Sequence, residues 1–91
     1  MRLAVLLALL LLQAHPALAA PKPNGLIADW TRLNSLCRGG SGDDPATMKA
    51  CGERDALTPR IEAAGWCYGQ KGQFGYQYRW HACTARSLHS S

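Results

Sequence analysis

Four cysteines (Cys37, Cys51, Cys67, Cys83), three histidines and two adjacent aspartates (Asp43, Asp44) are the side chains here whose types suit metal binding, nucleophilic attack or crosslinking. Successive cysteines lie 14, 16 and 16 residues apart. That spacing contains no CxxC and no HxxxH, the close pairs on which structural zinc sites are built. His81 and Cys83 form a lone HxC. A catalytic thiol would have to stay reduced, against the expectation for an exported chain. The serines and the histidines His81 and His89 make no triad and no nucleophile elbow. Asp43 and Asp44 point in different directions and have no third acid nearby in sequence. The glycines before them lack the lysine of a phosphate-binding loop, and the aspartates occupy the place an anion would take. Crosslinking is the chemistry that remains. The expectation is two disulfides, no metal, no cofactor and no catalytic residue: not an enzyme.

A second candidate is physical rather than covalent. In "FGYQYRW", rings fall on every second residue (Phe74, Tyr76, Tyr78, Trp80), with Arg79 between the last two. Alternation over seven residues predicts a strand with one apolar face. That face is either core or a row of rings for a ligand. Tyr76, Tyr78, Trp80 and Arg79 are the candidate ligand-binding residues. The helical part offers only Leu26, Ile27, Trp30, Leu33, Leu36, Met48, Leu57 and Ile61 as large apolar side chains. Each aromatic ring buries about 150–250 Å², so folding is expected to draw several rings inside. A stacking platform for single-stranded nucleic acid is set aside, because the cations are scattered among acids and the chain is read as exported.

Export is read from the first nineteen residues. Met1 and Arg2 precede an apolar run, Leu3 to Leu12, and Ala17 and Ala19 suit a cleavage site after Ala19. This is the layout of a secretory signal peptide. The run is about half the ~20 residues of a spanning helix, so no stable membrane insertion is expected after cleavage. Residues 20–24 are read as a flexible lead-in, 25–84 as the stapled domain and 85–91 as a flexible tail. With Arg2 gone, the ten Lys and Arg against six Asp and Glu fall to a net charge near +3. One domain of this size rarely draws more than about 3–5 kcal/mol from its core, so it needs its disulfides.

The elements that place the cysteines follow from periodicity. Leu26, Trp30, Leu33 and Cys37 recur at helical spacing, and Gly39, Gly40 and Gly42 are expected to stop that helix through a left-handed cap. Asp43 or Asp44 then caps a second helix whose first residue is Pro45. Its apolar face is Ala50, Leu57, Ile61 and Ala64, with Cys51 at the margin. Pro59 predicts a kink or break at Thr58–Pro59, with a short helix to Ala64 and a stop at Gly65. Arg54 lies among apolar positions and calls for a partner, Asp29 or Asp55, or for a route to water. From Trp66 the period becomes two, giving a β-hairpin or extended pair turning at Gln70–Lys71. Cys37 and Cys51 meet at one end of the helical hairpin, while Cys67 lies ~20 Å away along it at 1.5 Å per residue. The pairing is therefore Cys37–Cys51 and Cys67–Cys83.

"LNSLCRGGSGDDPATMKACGERDAL", "GWCYG" and "YRWHAC" together resemble a group of small exported proteobacterial proteins. The resemblance spans about Leu33 to Cys83. It implies export and the four-cysteine framework, and it brings no activity. The whole reading is an α+β, disulfide-stapled domain: an αα-hairpin, then a short aromatic-rich β-hairpin or extended segment. It is expected to be a periplasmic or secreted monomer that binds an envelope protein or a glycan, with no nucleic-acid partner. The alternatives are an inhibitor of a secreted or envelope enzyme, or a glycan-binding module using the aromatic strand.

Overall fold

The structure, a computed structural model, describes residues 21–90. The proposed signal peptide lies outside the described residues. Helix α1 runs Asn24–Gly39 and helix α2 runs Pro45–Ala63. Trp30 and Leu33 of α1 are buried, as are Ala50 and Ile61 of α2. This is the periodic stripe of each helix turned toward the other. The α+β class and both crosslinks match the expectation: Cys37 joins Cys51 with Cα atoms 4.8 Å apart, and Cys67 joins Cys83 at 5.1 Å.

Asp44 is the cap of α2. Its Oδ1 accepts the Ala46 N–H at 2.9 Å, ahead of Pro45 at the first helical position. Asp43 instead accepts from the Ser41 hydroxyl, and this bond, followed by one from the backbone, holds its carboxyl below the ordinary 3.8. The glycine turn departs from expectation in one respect. Gly40 closes α1 at φ −93°, which is not left-handed. Its lack of a side chain matters for another reason: a Cβ there would stand 2.1 Å from Thr47 Oγ1 and 3.0 Å from the Leu36 carbonyl. Buried Thr47 occupies that space, so the glycine permits the two helices to approach.

Pro59 does not break α2, which continues as one helix to Ala63. Proline removes one backbone donor, but the preceding residue is tied down at its side chain. Thr58 Oγ1 donates back to the Arg54 carbonyl (3.4 Å) and accepts from Trp30 Nε1 (3.0 Å). Tertiary packing onto α1 thus holds the helix through the proline. Arg54 is partnered as required. It bonds Asp55 at 2.9 Å and reaches Asn34 of α1 at 3.0 Å, while Asp29 plays no part.

Beyond Gly65, strand β1 (Trp66–Tyr68) pairs antiparallel with β2 (Trp80–Ala82), in the register Trp66–Ala82, Cys67–His81 and Tyr68–Trp80. A turn does form at Gln70–Gln73, closed by the Gln73 N–H to the Gln70 carbonyl (3.1 Å), but it does not join the two strands directly. The chain between the strands, residues 69–79, is a long loop with a 3-10 turn at Gly75–Gln77. The tail expected to be free is tied to the domain. Gln70 bridges to Ser87, Lys71 N–H donates to the Arg86 carbonyl (2.8 Å), and Leu88 N–H donates to the Gly69 carbonyl (3.0 Å). Ser87 is 2% exposed. Ser90 bonds the Glu62 carboxylate from both its backbone N–H and its hydroxyl.

Four rings fill the space between the helices and the strands. Trp30 meets Tyr68 at 4.5 Å and Trp80 at 5.2 Å between centroids; Tyr68 meets Trp80 at 5.1 Å and Tyr78 at 5.7 Å. These are tilted and edge-on contacts, the arrangements the ring quadrupoles favour. Gly69 makes room for them. At φ +86° it takes a conformation glycine adopts freely, and a Cβ would stand 2.7 Å from the Tyr78 ring.

Candidate functional site

The aromatic row divides in two. The expected strand through residues 74–80 does not form, because Gly75–Gln77 curl into a 3-10 turn. Its closing bonds are local: Gln77 N–H to the Phe74 carbonyl (2.9 Å) and Tyr78 N–H to the Gly75 carbonyl (3.2 Å). The turn rotates the row. Tyr78 and Trp80 go inward to the four-ring cluster. Phe74 and Tyr76 point to solvent, 68% and 73% exposed, and stack on each other at 6.0 Å with planes 8° apart. Of the four candidate ligand-binding residues, Tyr76 and Arg79 therefore lie on the surface, while Tyr78 and Trp80 are half-buried in the ring cluster. Phe74, not among those four, joins Tyr76 outside. The alternating pattern had marked it as part of the same row.

The loop that carries the pair is held by its own bonds. Gln73 Oε1 accepts the Gln70 N–H at 3.0 Å, and Gln77 Oε1 accepts the Phe74 N–H at 2.9 Å. Arg79 Nη1 donates to the Tyr78 carbonyl at 2.8 Å and to the Tyr76 carbonyl at 3.5 Å. Each bond fixes backbone that would otherwise be free to move, so the rings are displayed in a set geometry and a ligand meets a partly pre-ordered surface.

Two groupings that sequence spacing did not reveal are assembled by the fold. His81 Nε2 lies 3.1 Å from Ser87 Oγ. The Ser87 oxygen also accepts the Thr84 N–H at 2.8 Å and is buried, so it serves as an internal cap rather than as an accessible nucleophile. Glu62, Cys67 and His89 bring their polar atoms within 4.8 Å of one another. Cys67 is bonded to Cys83, which removes the thiolate a soft metal would require. The Glu62 carboxylate, 3.6 Å from His89 Nδ1, instead anchors the tail. His81 and Ser87 are only six residues apart, whereas His89 comes to Cys67 and Glu62 from 22 and 27 residues away, contacts to which no local pattern points.

A shallow depression is lined by Leu36, Gly40, Asp44 and Thr47 among others. Its carboxylate is already engaged as the α2 cap. No described helix is long and apolar enough to cross a membrane. What the fold and site define is a small α+β domain with two disulfides and a loop, tied by its own hydrogen bonds, that presents two stacked aromatic rings. No family model, no curated protein and no solved structure matches this chain.

Proposed function

We propose that this chain is an exported, non-catalytic binding protein of the periplasm or extracellular medium, and that it meets its partner through the loop carrying Phe74, Tyr76 and Arg79. The observation that carries the reading is the exposure of the stacked pair. Folding a domain this short of apolar residues should draw on every available ring, yet two stand in water on a loop stiffened by its own hydrogen bonds. Rigid, exposed aromatic side chains are the usual anchors of binding surfaces. The signal-peptide layout and the resemblance to small exported proteobacterial proteins support export, and two disulfides fit an oxidising compartment. A non-catalytic role is supported by the state of the nucleophile candidates: the cysteines are paired and Ser87 is buried and engaged.

The test is capture of envelope components by the oxidised protein, compared with Phe74→Ser/Tyr76→Ser. Both side chains are exposed, so the variant is expected to keep its circular dichroism spectrum and both disulfides. Capture that disappears in the variant supports the reading, whether the captured species is a glycan, a lipid surface or an inhibited enzyme. Undiminished capture by the variant would falsify it.

A further inference from the structure

Charge is distributed unevenly between the two halves. From Lys22 to Glu62 the chain carries six Lys or Arg and six Asp or Glu, so the helical half is neutral. After Glu62 there is no acid at all, while Lys71, Arg79 and Arg86 follow. These three surround the base of the aromatic loop. Arg86 Nη2 donates to the Lys71 backbone carbonyl at 3.4 Å, which places the Arg86 guanidinium at the stem that Lys71 belongs to, and Arg79 lies at the other stem. All three are exposed. The ion pairs among the described residues are Lys49–Glu53, Arg54–Asp55 and His89–Glu62, so none of the three loop cations has an acidic partner there.

We infer that the occupant of this loop is the anionic surface of a lipid bilayer, with Phe74 and Tyr76 as a shallow wedge and Lys71, Arg79 and Arg86 on the phosphates. The inference rests on the reading above that this loop is the contact. Phe74 has no polar atom and gains only by leaving water, whereas Tyr76 has an apolar body and a hydroxyl suited to the headgroup level. Cations beside such a wedge add attraction to anionic headgroups. Binding of this kind is peripheral and reversible, unlike a spanning helix.

A glycan fits the same loop less well. A sugar platform needs open ring faces and polar groups free to read hydroxyls. Here the two rings stack on each other, so each turns one face to its neighbour. The carboxamide oxygens of Gln73 and Gln77, the nearest acceptors for sugar hydroxyls, are already bonded within the loop. No carboxylate follows Glu62 to take their place.

The experiment is vesicle flotation of the exported, oxidised protein. Pure phosphatidylcholine vesicles are compared with vesicles of equal parts phosphatidylcholine and phosphatidylglycerol, at about 50 mM and about 500 mM salt. The expected result is binding to the anionic vesicles at least about tenfold tighter than to the zwitterionic ones, weakened by high salt. Phe74→Ser/Tyr76→Ser should lose at least about tenfold, and Arg79→Gln about fivefold. Leu36→Ser, at an exposed apolar residue of α1 (54% exposed), should change nothing. Equal binding to both vesicle types, or binding indifferent to the double variant, overturns the inference. A parallel arm uses purified peptidoglycan. Retention there that depends on Phe74 and Tyr76, without vesicle binding, overturns the lipid assignment and leaves the loop as the contact. Binding to neither, with the fold intact, overturns the lipid assignment, and the envelope-capture test then decides the loop itself.

Discussion

The helical half and the strand half are closed by disulfides of nearly equal span, 14 and 16 residues, but the surroundings of the sulfurs differ. Cys37 and Cys51 are half-buried at the mouth of the hairpin, whereas Cys67 is 0% exposed behind the strands. The helical half is regular over 16 and 19 residues, neutral in charge and specified by local periodicity. The strand half has two strands of three residues each, a net positive charge and a shape set by contacts from far along the chain. A crosslink therefore reinforces a structure that local forces already favour in the first half. In the second it substitutes for regular structure that is hardly there. Since three residues per strand make a two-stranded sheet only marginal on its own, the four-ring cluster and Cys67–Cys83 must hold it together.

The largest expected effect tests that contrast. Either cystine closes a loop worth about 3 kcal/mol in chain entropy. Cys67→Ala/Cys83→Ala additionally opens space at a fully buried site, at a further cost of about 1 kcal/mol or more. Since the core itself rarely supplies more than about 3–5 kcal/mol, this variant should be the less stable of the two single-cystine deletions and should lose the near-ultraviolet dichroism of the ring cluster at 37 °C. Cys37→Ala/Cys51→Ala should retain the near-ultraviolet dichroism of the ring cluster. Equal losses in urea titrations of the two variants would remove the distinction between the halves. Next in size is Trp30, the one α1 ring in the cluster, whose replacement by alanine should cost about 3–5 kcal/mol. Trp30→Phe keeps a ring but loses the bond to Thr58, and should cost nearer 1 kcal/mol.

Two smaller effects sharpen the comparison. Glu62→Ala frees the tail from α2, with an expected loss of about 1 kcal/mol, read as faster amide exchange at Ser90 and Leu88 than at Cys67. The smallest concerns Asp43 in the helical turn. Its carboxyl titrates below the ordinary 3.8, chiefly because Ser41 bonds the charged form. A folded value below the unfolded one means that the contribution is complete above about pH 3.8 and is lost as pH falls through the lower, folded value. Ser41→Ala should move the Asp43 midpoint upward toward 3.8 by NMR titration, and should leave the aromatic half untouched.

The helical half was largely legible in the sequence for the reason that it is local. The stripe through Trp30 and Leu33, the Asp44 cap and the stop at Gly65 each depend on neighbours within about one turn. So does the proximity of Cys37 to Cys51. The break expected at Pro59 does not form, because the compensation comes from Trp30, 28 residues before the threonine it bonds. In the strand half, alternation in "FGYQYRW" identified rings for the interior but could not show where the strand would stop. The 3-10 turn depends on Gln77 reaching back to Phe74, and the same polar residue would have served equally on a strand's outer face. The tail was illegible for a similar reason. Ser87 and Leu88 are ordinary tail residues until Gly69 and Gln70 are brought beside them.

The central claim, that each half carries its own crosslink in a chain folded under oxidising conditions, is tested most directly by peptide mapping of protein recovered from its native host. The sample is alkylated first and digested with trypsin under non-reducing conditions. Basic residues lie between the members of each pair, Arg38 and Lys49 in one, Lys71 and Arg79 in the other, so the linked fragments separate cleanly. The prediction is one species joining the Cys37 and Cys51 peptides, one joining those of Cys67 and Cys83, and no alkylated cysteine. A species linking Cys37 or Cys51 to Cys67 or Cys83, or four alkylated thiols, would contradict the account.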